Sequence, residues 1–154
     1  MKKLIILSSI LCLLITGCSS NSNSGTLNCT KIDYDDEGYK TTNTMVVNYK
    51  NDKVTTVTET IVSEMDSNYI DFTLSFGKTF AESLNEIEGL TAEYTKLDSN
   101  NLQYVMTVDY NKIDVDNVKE VLGDSFDENQ ESMYTNDVSL EKFKSDILNG
   151  YTCE

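Results

Sequence analysis

Leu102-Gln103-Tyr104-Val105-Met106-Thr107-Val108-Asp109-Tyr110 puts Leu102, Tyr104, Met106, Val108 and Tyr110 on one parity. That is the period of a strand with one buried face, and it is the clearest in the chain. Just before it, Leu90, Ala92 and Tyr94 alternate in the same way, and Asp98-Ser99-Asn100-Asn101 between them are turn formers. The two segments read as a hairpin. Such a sheet needs an apolar cover on one face and tolerates water on the other.

Three more strands lie upstream. Leu27, Cys29, Ile32 and Tyr34 mark the first, with a phase slip near Thr30 that suggests a bulge. Asp35-Asp36-Glu37-Gly38 turns the chain, and Tyr39, Met45, Val47 and Tyr49 share one parity through the second. Asn51-Asp52 is a hairpin signal, and Val54, Val57, Ile61 and Val62 lie in a threonine-rich third strand. The expected cover is a helix. Phe72, Phe76, Phe80, Leu84 and Ile87 recur at three- and four-residue steps, so the aromatic stripe reads as its core face. Asp71 or Ser75 is the expected cap, Gly77 weakens the first turns, and Gly89 is placed as C′.

Downstream of Tyr110, Val115, Val118, Val121 and Leu122 predict a short helix capped by Asp114 and ended by Gly123. The acidic stretch from Asp124 to Asp137 reads as a surface loop. Ser139 caps a last helix with Leu140, Phe143, Ile147 and Leu148 inward, and Tyr151-Thr152-Cys153 ends extended. The sum is an α+β domain. It holds an antiparallel sheet of about five strands, in the order β-β-β-α-β-β-α-α, with helices packed on one face.

The chain opens with Lys2 and Lys3, then an apolar run from Leu4 to Ile15, then Thr16-Gly17-Cys18. A basic start and a short apolar run make a secretory signal, and a dozen or so residues fall short of the roughly 20 of a spanning helix. Ile15-Thr16-Gly17-Cys18 resembles the lipobox of bacterial lipoproteins. That resemblance implies a diacylglyceryl group on the Cys18 sulfur and cleavage that leaves Cys18 first. Residues 1–17 are then the signal, 18–25 a Ser/Asn/Gly tether and 26–154 one domain. The expected place is the extracytoplasmic face of the cell membrane. An ordinary secretory signal with an incidental cysteine is the competing reading.

Cleavage removes two lysines and no acids, so the formal charge moves from −14 to −16 on 137 residues. A chain this acidic is repelled by phosphate backbones, so no nucleic-acid partner is expected. With no histidine in the chain, the commonest general base and metal ligand is missing. Cys12 leaves with the signal and Cys18 is expected to be lipidated. Cys29 and Cys153 remain as an even pair outside the cytoplasm and read as a disulfide; two reduced buried thiols are the alternative.

The lipobox is followed by the Cys29-Thr30 strand and the hairpin from Tyr49 to Val54. Then come Thr107-Val108-Asp109-Tyr110-Asn111-Lys112-Ile113-Asp114 and a last helix closed by Gly150-Tyr151. This order resembles the YehR-like family of small bacterial lipoproteins over nearly the whole chain from Thr26. The resemblance implies an antiparallel sheet packed by helices. The family's molecular function is unassigned, so it brings no catalytic residues. It does not carry the Cys29–Cys153 bridge either, which rests on this sequence.

Two acidic groups invite a metal reading. Asp33-Tyr34-Asp35-Asp36-Glu37-Gly38 imitates the start of a calcium loop, but Thr44 stands at the twelfth position where an EF-hand needs Glu. Asp109, Asn111, Asp114 and Asp116 gather oxygens at a strand-to-helix corner, and capping explains them as well. No metal site and no catalytic set is expected, nor any cofactor beyond the lipid on Cys18. The leading expectation is a non-catalytic binding module anchored in the bilayer, its partner a protein or small ligand. An acidic inhibitor of a secreted cationic protein, such as a lysozyme-like enzyme, is the alternative. A carboxylate-dependent hydrolase ranks third.

Overall fold

The computed structural model describes residues 23–123, 126, 131 and 133–154. Asn51 and Asp52 both hold positive φ, 55° and 61°, as a two-residue type I′ turn requires. They close the hairpin of β2 (Lys40–Lys50) and β3 (Lys53–Glu64). Before it, β1 (Ser24–Tyr34) pairs with β2 in unbroken register from Ser24↔Lys50 to Tyr34↔Lys40. The irregularity suspected near Thr30 lies instead between β2 and β3, at Asn48/Tyr49. The first strand also begins earlier than its apolar pattern does. Ser24 and Gly25, assigned by composition to the tether, are ladder residues, and a Cβ on Gly25 would meet the Tyr49 ring at 2.8 Å from its hydroxyl oxygen.

After α1 (Ser67–Leu84), the strands β4 (Leu90–Lys96) and β5 (Asn101–Asp109) form the hairpin that the sequence shows most plainly. Two short helices follow, α2 (Val115–Leu122) and α3 (Leu140–Asp146), and β6 (Thr152–Cys153) ends the chain. All pairings are antiparallel, in the order β4-β5-β3-β2-β1-β6. The sheet therefore has six strands, the sixth a two-residue edge on β1. The protein is α+β, with helices on one face of an antiparallel sheet.

Strand direction gives the domain two ends. Ser24, the Asn51-Asp52 turn and the end of β5 lie at the end where the N-terminal segment leads off. The turns after β1, β3 and β4 lie at the other, distal end. On the covered face the ladder aligns Leu27, Val47, Val57, Val108 and Leu90 in one row. The next row is Cys29, Met45, Glu59, Met106 and Ala92, and the third is Lys31, Asn43, Ile61, Tyr104 and Tyr94. The opposite face is threonine-rich, with Thr58 and Thr107 hydroxyls 3.0 Å apart.

The main helix differs from its sequence reading in two ways. Its cap is Asp66, whose side chain accepts from the Asn68 N–H at 2.8 Å, one turn or more before Asp71 and Ser75. Its buried residues are Ile70, Gly77, Ala81 and Leu84. Phe72 and Phe76, expected in the core, are 73% and 69% exposed; Phe80 is half-buried and Ile87 is buried beyond the helix end. Gly77 is the reason. A Cβ there would sit 2.6 Å from the Tyr94 ring, so the bare backbone rests on that ring and turns the phenylalanines aside. The helix stops at Leu84 with Asn85 as C-cap. Gly89 (φ +89°) serves a later turn, where a Cβ would lie 2.8 Å from the Ile113 nitrogen.

The later caps fall where expected. Asp114 accepts from the Asp116 N–H at 3.0 Å and Ser139 from the Lys142 N–H at 3.1 Å. Phe143 is fully buried, its ring edge-on to Tyr110 at 6.3 Å. Of the stretch read as a surface loop, Met133 and Tyr134 turn into the core, and Tyr110 donates its hydroxyl to the Met133 carbonyl at 2.7 Å. No helix among the described residues is long and apolar enough to cross a membrane.

Candidate functional site

Cys18, the expected lipid site, lies outside the described residues, as do residues 1–17 and most of the tether. Cys29 and Cys153 face each other across β1 and β6 with Cα atoms 4.0 Å apart, and their sulfurs are bonded at 2.07 Å. Asn28 and Glu154 exchange both backbone hydrogen bonds at 3.0 Å. The cysteines are therefore the adjoining non-hydrogen-bonded pair, the kind in which side chains approach closest. The link ties the end of the chain to its first strand.

The acidic corners satisfy themselves. Asp35 accepts from the Glu37 and Tyr39 N–H groups at 3.0 and 2.9 Å, and Asp33 pairs with Lys31 at 2.9 Å. Asp109 takes both the backbone N–H and the side-chain amide of Asn111 at 3.0 Å, which hold its carboxyl below the usual range. Asp114 is spent on its cap.

A different group stands out once the rows are known. Glu59 is on the covered face in mid-sheet, between Met45 and Met106, and is 8% exposed. Burial raises its carboxyl above the usual range, and a hydrogen bond from the Asn43 amide, Nδ2 to Oε1 at 2.8 Å, opposes that shift. Asn43 Oδ1 is itself buried and has no hydrogen-bond partner among the described residues. An unmet buried acceptor costs about 1–3 kcal/mol, so this atom is a place for a donor. Sequence reading passed over Glu59 because it treated the third strand as threonine-rich. The signal was present: Glu59 holds the parity of Val57 and Ile61, an acid where the pattern demands an apolar residue.

On the next row, and not lined by Glu59 itself, a groove of about 270 Å³ opens between α1 and the sheet. Ile61, Leu102, Tyr104, Tyr94, Met65 and Thr73 line it, together with Ser63. Tyr94 and Tyr104 lie with ring centroids 4.6 Å apart, and burial raises the Tyr104 phenol, with smaller contributions from Tyr134, Tyr94 and Glu59. Tyr151 is pushed up to about 12 by burial, then by Glu59 and Asp33. Thr73 brings α1 to the groove, and Tyr69 and Phe76 are its i−4 and i+3 neighbours on the helix surface. Tyr69, Phe72 and Phe76 therefore form an exposed aromatic stripe on the helix surface next to Thr73, outside the groove's own lining.

The groove's distal mouth is acidic. Met65 stands between Glu64 and Asp66, and the hairpin of Asp35, Asp36 and Glu37 turns at the same end. Tyr39 registers the field: its phenol is raised by desolvation, then by Asp66, Glu37, Asp35 and Glu64. Aromatic lining and negative mouth together suit an apolar group that carries positive charge.

No family model and no curated protein matches the chain. Two solved structures share its fold. One is the NMR structure of a protein from Streptococcus pneumoniae TIGR4, with a TM-score of 0.56 and 16% identity, covering 100% of this chain and 97% of that one. The other is the NMR structure of the E. coli YehR protein, with a TM-score of 0.56 and 15% identity, over 86% of this chain and 92% of that one. The class is thus an α+β domain with the fold of these two proteins, and at these identities the likeness is one of fold.

Proposed function

We propose that the chain is a lipoprotein, anchored through Cys18 on the extracytoplasmic face of the cell membrane. There it acts as a non-catalytic module that binds a cationic amphipathic polypeptide. The observation that carries this reading is the aromatic stripe of α1. Tyr69, Phe72 and Phe76 are 66%, 73% and 69% exposed on a chain of formal charge −14. Isolated exposed apolar residues are ordinary, but a contiguous stripe beside a groove marks a binding surface. Charge complementarity names the occupant, because a basic partner meets both the acidic mouth and the chain's net charge. The stripe lies on the helix that begins at the distal end, away from Ser24 where the anchor leads off.

The test uses the full chain in detergent micelles, titrated with a fourteen-residue leucine/lysine amphipathic peptide across a salt series. Binding should be saturable, weaken as salt screens the charges, and drop at least tenfold in the double variant Phe72→Ser, Phe76→Ser. An affinity unchanged in that variant would refute the stripe as the surface. The anchor has its own check, since mass spectrometry of the native N-terminal peptide should find diacylglycerol on Cys18. The acidic surface also favours a second reading, in which the partner is a basic lysozyme-like enzyme. In that case the chain should inhibit its activity.

A further inference from the structure

We propose that the outer edge of β4 receives an extended polypeptide segment with alternating apolar and basic residues, added to the sheet as a further strand in the cleft between that edge and α1. β4 is one edge of the sheet. The Asp109 N–H donates to the Gly89 carbonyl at 2.7 Å and the Leu97 N–H to the Asn101 carbonyl at 2.9 Å. The odd-numbered residues from Gly89 to Leu97 therefore bond to β5, and the N–H and C=O groups of Ala92, Tyr94 and Lys96 point outward. Ala92 is already met. The Asn85 side chain accepts from its N–H at 2.7 Å and donates to its carbonyl at 3.0 Å, the two bonds that a neighbouring strand would make. Tyr94 and Lys96 have no such cover among the described residues. Bare edge groups of this kind are a template for another strand. Lys96 does not shield them, since its ammonium is drawn onto Asp71 of α1 at 2.6 Å.

A cleft of about 450 Å³ lies along this edge, walled by Leu74, Lys78, Ala81 and Glu82 of α1. The helix runs lengthwise over β4 and antiparallel to it: Asp71 meets Lys96, Gly77 rests on Tyr94 and Asn85 holds Ala92. That placement decides the occupant. A second copy pairing antiparallel about a twofold axis would bring its own α1 to the same face. The two helices would then lie one strand spacing of about 4.8 Å apart, closer than the roughly 8–10 Å at which helices pack. A lone extended segment carries no helix and fits. Its side chains alternate between the two faces of the sheet. Those on the helix face meet Leu74, Ala81 and Tyr94, which suit apolar residues, and those on the other face flank Glu93 and Thr95. Lys78 and Glu82 sit one turn apart and offset each other, as Asp71 and Lys96 do. Glu93 is left as the charge at the cleft, and a basic residue is its cross-strand match. By helix periodicity Lys78 lies on the flank of α1 opposite Tyr69 and Phe76, so this surface is separate from the aromatic stripe.

The probe is an end-blocked heptapeptide of alternating lysine and valine, added to the isotopically labelled full chain in detergent micelles and followed by NMR hydrogen exchange. The Tyr94 and Lys96 amides should exchange at least tenfold more slowly at saturation, while Ala92, already bonded to Asn85, changes little. N-methylation separates strand addition from charge attraction, because only one edge of the peptide bonds to β4. Methylating either the valine nitrogens or the lysine nitrogens should therefore cost at least tenfold in affinity, and methylating the other set should not. Lys96→Pro, which removes an outward N–H, should also cost at least tenfold, whereas Lys96→Ala, which keeps it, should not. The methylated pair needs only the wild-type chain, so it decides even if Lys96→Pro fails to fold. Equal affinity of the two methylated peptides overturns the proposal. So does loss of binding in Phe72→Ser, Phe76→Ser, which would seat the peptide on the stripe. Slow exchange at Tyr94 and Lys96 on concentrating the chain alone would put a second copy at the edge and overturn it too.

Discussion

Ile70, Gly77, Ala81 and Leu84 line the side of α1 that packs on β4 and β5, whereas Tyr69, Phe72 and Phe76 line an adjoining side left in water. Both sides are apolar, and the exposed one is the more so by volume. Residue size separates them. Gly77 lets the helix backbone close onto Tyr94, and a phenylalanine in its place would hold it off. Small residues thus choose the packed side, and the large ones remain available for contact with something else.

The comparison breaks first at its packed side. Leu84→Ala should cost about 2–5 kcal/mol by chemical denaturation, as for any fully buried leucine. Gly77→Ala, favourable on helix propensity alone, should instead destabilise by about 1–3 kcal/mol through overpacking against Tyr94. That loss should shrink when Tyr94 is cut to Ala, since touching groups couple.

Glu59→Gln comes next, with an effect on the order of 1 kcal/mol and a definite pH dependence. The Glu59 carboxyl is raised in the fold, so its contribution is fully present below the ordinary carboxyl range near about pH 4 and is lost as pH rises through the raised value. The variant's stability relative to wild type should therefore increase from pH 4 to pH 7. Asp98 and Asp109, whose carboxyls are lowered, act in the opposite sense, losing their contribution as pH falls, and they cancel in the difference. The smallest effect belongs to the exposed side. Phe72→Ser and Phe76→Ser should each shift stability by no more than about 0.5 kcal/mol, and cost equal to that of Leu84→Ala would show that they are core after all.

Much of this fold was legible because strand parity and caps are local. The β4–β5 hairpin, the Asn51-Asp52 turn and the Asp114 and Ser139 caps are all written in neighbouring residues. What failed was tertiary. Period three-to-four finds an apolar face on α1, but two such faces overlap there, and only the contact of Gly77 with Tyr94 decides which is buried. Met133 and Tyr134 lie in an acidic stretch with no period, and they are inward because Tyr110 reaches the Met133 carbonyl. Glu59 was visible as a breach of parity, but its meaning needed Asn43 beside it. That pairing comes from strand register, which composition does not reveal.

Hydroxyl-radical footprinting of Tyr69, Phe72 and Phe76, read by mass spectrometry on the purified chain and on intact cells, tests the central claim most directly. All three should be oxidised readily in the purified protein, far faster than Ile70 or Leu84, and should be strongly protected on cells where the stripe meets its partner. Equal oxidation in both settings would contradict a working binding surface, and slow oxidation in the purified protein would contradict the exposed side itself.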